Sequence, residues 1–217
     1  MPRSSNFGLV SHLQALAMAT VLLCAQGCAA AFDPTGVERN LERVKAGHYQ
    51  LDQHHATLLF KVGHMGLSPY VGRFNQFDVD LQFDPTRPTD TALTAIIDTG
   101  SIDVNYPSFA SELSGPEWFD SERFPEARFV STAVRKLGDN RLAIDGELTL
   151  MGTTAPVSLE ASFLGATPHA ITGIYTLGFT ASGRFKRSAF GLDNYIPVVD
   201  DEVTIELYLE LKRAGNR

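Results

Sequence analysis

The chain has 217 residues, 44% of them hydrophobic, with 18 Lys and Arg against 25 Asp and Glu and only two cysteines. A formal net charge of −7 argues against nucleic acid and anionic membrane surfaces as principal partners. The length allows one or two domains, and the composition is that of an ordinary globular protein.

The N-terminus is the first distinctive element. Arg3 supplies a small positive region, LQALAMATVLLCA (13–25) is apolar, and small residues follow in QGCAAA (26–31). The run is short for a membrane span and ends in a small-x-small pattern, so residues 1–31 read as a secretory signal cleaved after Ala31. A periplasmic or otherwise exported protein is expected. Lipidation at Cys28 is the competing reading, but AQGC lacks the large apolar residue usual three positions before a lipidated cysteine. Cys24 and Cys28 both fall in this segment, so a mature chain would have no disulfide, thiol nucleophile or thiolate metal site. Its core alone must hold it. Removing residues 1–31 takes away one Arg and no acid, giving a net charge of −8, and leaves no transmembrane segment.

Residues 32–48 read as a linker with a short helix. In TGVERNLERVKA (35–46), Thr35 and Glu38 have capping-box spacing, Val37, Leu41 and Val44 form a stripe, and Gly47 can stop the helix. From Tyr49 the period changes to two. FDVDLQF (77–83) sets Phe77, Val79, Leu81 and Phe83 against Asp78, Asp80 and Gln82, and EVTIELYLEL (202–211) alternates in the same way. About eight such runs are expected, at 55–64, 71–83, 91–98, 127–136, 141–150, 156–164, 174–185 and 202–212. Short connections such as GDN (138–140) and MGTTA (151–155) suit hairpins. One apolar face per strand without long helices indicates an all-β antiparallel meander. Eight strands can close into a barrel that holds one small ligand, with a two-sheet sandwich as the alternative. Residues 101–126 break the alternation with three prolines and the only tryptophan, and read as a helical or irregular lid across one end.

No constellation for catalysis stands out. His54 and His55 fall on opposite faces of a strand, no zinc-ligand spacing occurs, and there is neither a G-x-S-x-G elbow nor a phosphate-binding loop. His64, in a Gly-rich turn, reads as a corner residue bonded to backbone or carboxylate groups. Asp200, Asp201 and Glu202 read as a solvated turn. The basic group Arg184, Lys186 and Arg187 reads as a strand end, with a mouth receiving a polar or negative head as the second reading. Fourteen phenylalanines suit either a packed interior or a cavity for a hydrophobic ligand.

Taken in order, YQLDQHHATLLFKVGH, VGRFNQFDVDLQFD, EWFDSERFPEARFVST, GELTLMGTTAPVSLE, RSAFGL and VVDDEVTIELYLE resemble the YceI-like family from Tyr49 to Lys212. Asp52, His55, Phe60 and His64 fall on family positions. The resemblance implies a lipocalin-like barrel over residues 49–213 that binds a long isoprenoid lipid, such as a polyprenyl phosphate or an isoprenoid quinone, without catalysis. Two stretches depart from the family: Phe109-Ala110-Ser111-Glu112-Leu113 replaces a charged pattern with a His where Glu112 stands, and Lys186 stands where an acid is common.

Phe60, Val62, Phe77, Val79, Leu81, Phe129, Leu148, Leu177, Phe179, Phe190, Ile205 and Leu207 are therefore expected to line the interior, with Trp118 and Phe119 over an entrance. His55, His64, Lys186 and Arg187 are the candidates for a polar mouth. No catalytic residue, metal or catalytic cofactor is assigned; the expected partner is the lipid, and a homodimer is allowed. The competing reading is an enzyme acting on a small hydrophobic or lipid substrate with His64 or His55 as acid or base. A third is an interaction module presenting the acidic surface at Asp200 and Asp201.

Overall fold

The architecture follows from the period-two pattern. The computed structural model describes residues 36–215, so the segment read as an export signal lies outside the described residues, as do Cys24, Cys28 and Thr35. Ten strands form one antiparallel sheet: β1 (Gly47–His64), β2 (Ser68–Phe74), β3 (Phe77–Phe83), β4 (Ala92–Asp98), β5 (Ile102–Asp103), β6 (Glu126–Gly138), β7 (Arg141–Leu150), β8 (Thr153–Pro168), β9 (Tyr175–Lys186) and β10 (Val199–Arg213). The order β10-β9-β8-β7-β6-β4-β3-β1 closes on itself because β1 also pairs with β10, which excludes the open sandwich. The two remaining strands, β2 and β5, extend the sheet beside the second half of β1.

Strict alternation places the apolar sets inside. Phe77, Val79, Leu81 and Phe83 are buried, and Asp78, Asp80 and Gln82 are exposed. Asn140 closes the β6–β7 connection at φ 59°, and Met151 and Gly152 close the β7–β8 connection at φ 50° and 74°. Both connections expected as hairpins are hairpins.

Two elements differ from expectation. Residues 71–83 are not one strand: the ladder breaks at Asn75 and Gln76, where the chain passes from pairing with the far half of β1 to pairing with its start. Residues 37–46 do not form the expected short helix; Leu41–Arg43 make a 3₁₀ turn capped by the Asn40 side chain. Glu38 instead bridges to Ala166 of β8 through both backbone bonds, and Asn140 accepts the Leu41 N–H. The expected stripe still finds a use, because Leu41 and Val44 are buried against the barrel core.

The lid segment contains β5, helix α1 (Pro107–Ser114) and a run of turns. Thr99, fully buried, ties its two ends together by donating from its hydroxyl to Phe124 O at 2.7 Å and from its N–H to Pro125 O at 2.9 Å. Ile102, Val104 and Leu113 form a second small core, against which Phe60, Tyr70, Phe74, Trp118 and Phe119 pack.

The seam between β1 and β10 carries a bulge. Leu51 pairs with Leu211 and Ala56 with Leu209, so the polar stretch Asp52-Gln53-His54-His55 is looped out of β1. The inward set changes from the odd positions Tyr49 and Leu51 to the even positions Leu58, Phe60 and Val62. Asp52, 2% exposed, closes this bulge. It accepts hydrogen bonds from Lys212 Nζ at 2.8 Å, His55 Nδ1 at 2.9 Å and the His54 N–H at 3.2 Å. Burial disfavours its charge, but these donors outweigh burial and hold the carboxyl well below the usual carboxylate range. The bond to Asp52 in turn raises the His55 pKa, with Glu210 adding to the rise and Lys212 opposing it.

Removing the charge with Asp52→Asn is expected to cost about 3 kcal/mol in urea unfolding, because it leaves Lys212 facing a buried neutral group. The pH dependence has two sides. The lowered Asp52 pKa contributes stability above the ordinary carboxylate value that is lost as pH falls, and the raised His55 pKa contributes stability below about pH 6.5 that is lost as pH rises through its folded value. The seam should therefore be firmest between about pH 4 and 6.5. Unfolding midpoints of wild type and His55→Gln across that range and above it check this; the alkaline decline attributable to the bulge should vanish in the variant.

Candidate functional site

A cavity of about 570 Å³ runs inside the barrel, a size in the range of small-molecule sites. Every strand supplies wall side chains, β5 through Ile102, and nearly all of them are apolar. The space exists partly because small residues occupy inward positions. On β2, Gly72 lies opposite Phe60, whose ring would sit 2.3 Å from a Cβ there. On β7, Gly146 receives the Phe129 ring at 2.4 Å from the same imagined atom. Large rings thus lie flat along the wall instead of crossing the lumen, and these positions require glycine.

Of the expected wall residues, all but Leu177 and Phe190 line this cavity. Leu177 faces inward but is fully buried where β9 begins, beside Leu211 and Ala166. Phe190 lies in the 3₁₀ turn Arg187–Phe190 after β9 and packs edge-on to Phe185 at 5.4 Å, outside the cavity. Trp118 and Phe119 line it from the lid.

The four polar candidates separate. His55 belongs to the β1 bulge and does not reach the cavity, because the looped-out register turns its ring toward Asp52. Lys186 is exposed on the outer face of β9. His64, at the end of β1, lines the mouth and is exposed; among the described residues its ring makes no hydrogen bond or ion pair, contrary to the bonded corner role expected of it. Arg187 also lines the mouth, because it continues the inward alternation of Phe179 and Phe185. Its 5% exposure excludes the solvated strand end.

The Arg187 guanidinium is engaged with backbone. Nε donates to Asp200 O at 2.9 Å, Nη1 to Leu192 O at 2.7 Å, and Nη2 to Asn194 O at 2.8 Å and Val199 O at 2.9 Å. Burial lowers its pKa from the usual guanidinium value, opposed by Asp201 and Asp193. Asp201 is occupied by the Ser188 N–H and hydroxyl, each at 2.9 Å. Arg187 is thus the internal brace of the β9–β10 connection.

Sequence reasoning missed several mouth residues. Tyr70, Phe109, Glu112, Leu192, Tyr195 and Val198 all line the cavity. Tyr195 stacks on Trp118 at 5.9 Å between ring centroids and 22° between planes. The position of Glu112 in an otherwise apolar wall was the one signal available, as a departure from the family pattern. Among the described residues the group with metal-like spacing is Asp52, His55 and Glu210, outside the cavity, and Lys212 already occupies the Asp52 oxygen there.

Replacing Arg187 by Met keeps the apolar stem but removes four donors from backbone carbonyls, that of Leu192 buried and the others partly so. We expect a loss of about 3 kcal/mol in stability. Hydrogen exchange should accelerate selectively across residues 191–199, with β3 and β7 little changed.

A family description, the YceI-like domain, matches residues 49–211. A UPF0312 protein of Shewanella oneidensis is 34% identical over 169 residues, covering 77% of this chain and 88% of that one. Among solved structures, BcnA of Burkholderia cenocepacia superposes with a TM-score of 0.67 at 26% identity, over 74% of this chain and 98% of its own. A polyisoprenoid binding domain from Saccharophagus degradans shares the fold at a TM-score of 0.56 and 11% identity, over 78% of this chain and all of its own. From Tyr49 to Leu211, then, this chain belongs to the YceI-like family of lipocalin-like barrels.

Proposed function

We propose that the protein binds and carries, or stores, a long isoprenoid lipid within the barrel, and that the head of this lipid is uncharged, as in an isoprenoid quinone. The observation that carries the reading is the continuous apolar lumen of about 570 Å³ opening at a mouth of aromatic residues. Burial of a hydrocarbon chain there yields about 0.8 kcal/mol per methylene, which supplies affinity without specific polar contacts. The printed description of the Saccharophagus degradans neighbour as a polyisoprenoid binding domain agrees with this choice of cargo.

The head-group reading rests on charge at the mouth. Arg187 is the cation nearest the lumen, and four of its N–H groups are already bonded to backbone carbonyls. Lys186 points away, while Glu112, exposed on α1, is the acidic residue among those that line the cavity. A phosphate there would meet a carboxylate and an occupied guanidinium; a neutral ring would not. Turnover is the weaker reading because His64 lacks a bonded carboxylate and His55 with its Asp52 lies outside the lumen. A signal over residues 1–31, with cleavage after Ala31, fits a role in the periplasm, and amino-terminal sequencing of the mature protein distinguishes cleavage there from lipidation at Cys28.

Organic extraction of protein purified without detergent, followed by mass spectrometry, should recover a prenylated quinone. Ala181→Trp, which places a large ring in the lumen, should lower quinone affinity at least tenfold with an unchanged circular dichroism spectrum. Glu112→Lys, a change of two charge units, should shift preference toward a prenyl phosphate by about tenfold, the effect of roughly 1.4 kcal/mol. A wild-type protein that takes up neither lipid in titration would overturn the reading.

A further inference from the structure

The mouth is surrounded by apolar side chains that face solvent. In the β1–β2 turn, Met65 is 60% and Leu67 80% exposed; in the β9–β10 connection, Tyr195 is 66%, Val198 53% and Ile196 37% exposed. The two loops are joined by a hydrogen bond from the Met65 N–H to Val198 O at 2.8 Å, and Tyr195 reaches the lid through Trp118. Tyr195, Val198 and Trp118 also line the cavity, so the exposed patch runs without a break into the lumen wall.

The backbone at this rim is unusual. Met65 sits at φ 55°, ahead of Gly66 at φ 66°, and Tyr195 sits at φ 62°. Such positions favour glycine or asparagine, and a large side chain there is strained. Neither side chain regains that cost by burial within this chain, since both are mostly exposed. Exposed apolar groups contiguous with a binding cavity mark a docking surface.

We propose that this rim docks the mouth onto a bilayer of zwitterionic lipid, so that the cargo passes between membrane and barrel without crossing water. The proposal rests on the carrier reading above. Charge selects the kind of bilayer. Asp193, Asp200 and Asp201 flank the loop in sequence, Glu112 lines the mouth, and the rim residues 65–67 and 195–198 contain no Lys or Arg. An anionic surface would repel this face, whereas Met, Leu and Val enter the acyl boundary and Tyr suits the headgroup level. For a long prenyl chain, water exposure in transit would cost about 0.8 kcal/mol per methylene, which direct docking avoids.

The test uses the purified protein and sucrose-loaded phosphatidylcholine vesicles free of isoprenoid. Wild type should cosediment, and the bound fraction should persist in high salt. Met65→Ser combined with Leu67→Ser should lower partitioning at least tenfold, while affinity for a prenylated quinone presented in detergent stays within about threefold. Leu67→Asp, at a fully solvated tip, gives the same readout with minimal effect on folding. Quinone binding without vesicle binding overturns the docking proposal and leaves the carrier reading standing; vesicle binding without quinone binding does the reverse. Binding only to anionic vesicles, or a dimer in light scattering that the Ser substitutions dissolve, also overturns it, the latter assigning the rim to a second copy of the chain.

Discussion

A wall that encloses apolar space cannot lean on a filled centre. Most small barrels are stabilised by side chains that meet across the lumen; here much of that contact is given up to keep a cavity. The ladder of hydrogen bonds around the circumference, and the packing of neighbouring side chains along the wall, must carry the difference. The seam is therefore the critical joint. Strands β1 and β10 meet along nearly their whole length, and the interruption at the bulge is closed by a buried carboxylate gripping a lysine from the opposite strand.

The two ends of the barrel are built on different physics. Where β1 begins, Leu41 and Val44 pack into the core, and the Tyr49 hydroxyl bonds to Lys45 O while burial pushes its pKa up to about 12. That end is sealed by ordinary burial. Where β1 ends, a buried guanidinium braces a loop through backbone carbonyls, and the outer surface is left apolar. One end is stability, the other access.

Much of this was legible in the residues. FDVDLQF and EVTIELYLEL alternate without fault, so their faces, and with them most of the wall, could be assigned before any coordinates. The bulge at 52–55 could not, because Asp-Gln-His-His carries no periodic signal and its cause is a tertiary contact to Lys212. The helix expected over 35–46 had a plausible cap and stripe; pairing of Glu38 with Ala166 outweighed local propensity. Arg187 was readable in principle, since counting by twos from Phe179 and Phe185 turns it inward, but a basic triplet in an acidic chain suggested solvent. Leu177 shows the limit of alternation: period two says which side of the sheet a residue takes, not how far along the lumen open space extends. The rim residues lie in turns, where no period applies.

The seam has a consequence for how the chain must assemble. Its partners are the first strand and the last, separated by nearly the whole domain, so the barrel cannot close until Val199–Arg213 is available. Until then the incomplete sheet presents two open edges and an uncovered apolar face, with no disulfide among the described residues to hold an intermediate. Truncation within Val199–Arg213 is therefore more damaging than the near-terminal position of that strand suggests.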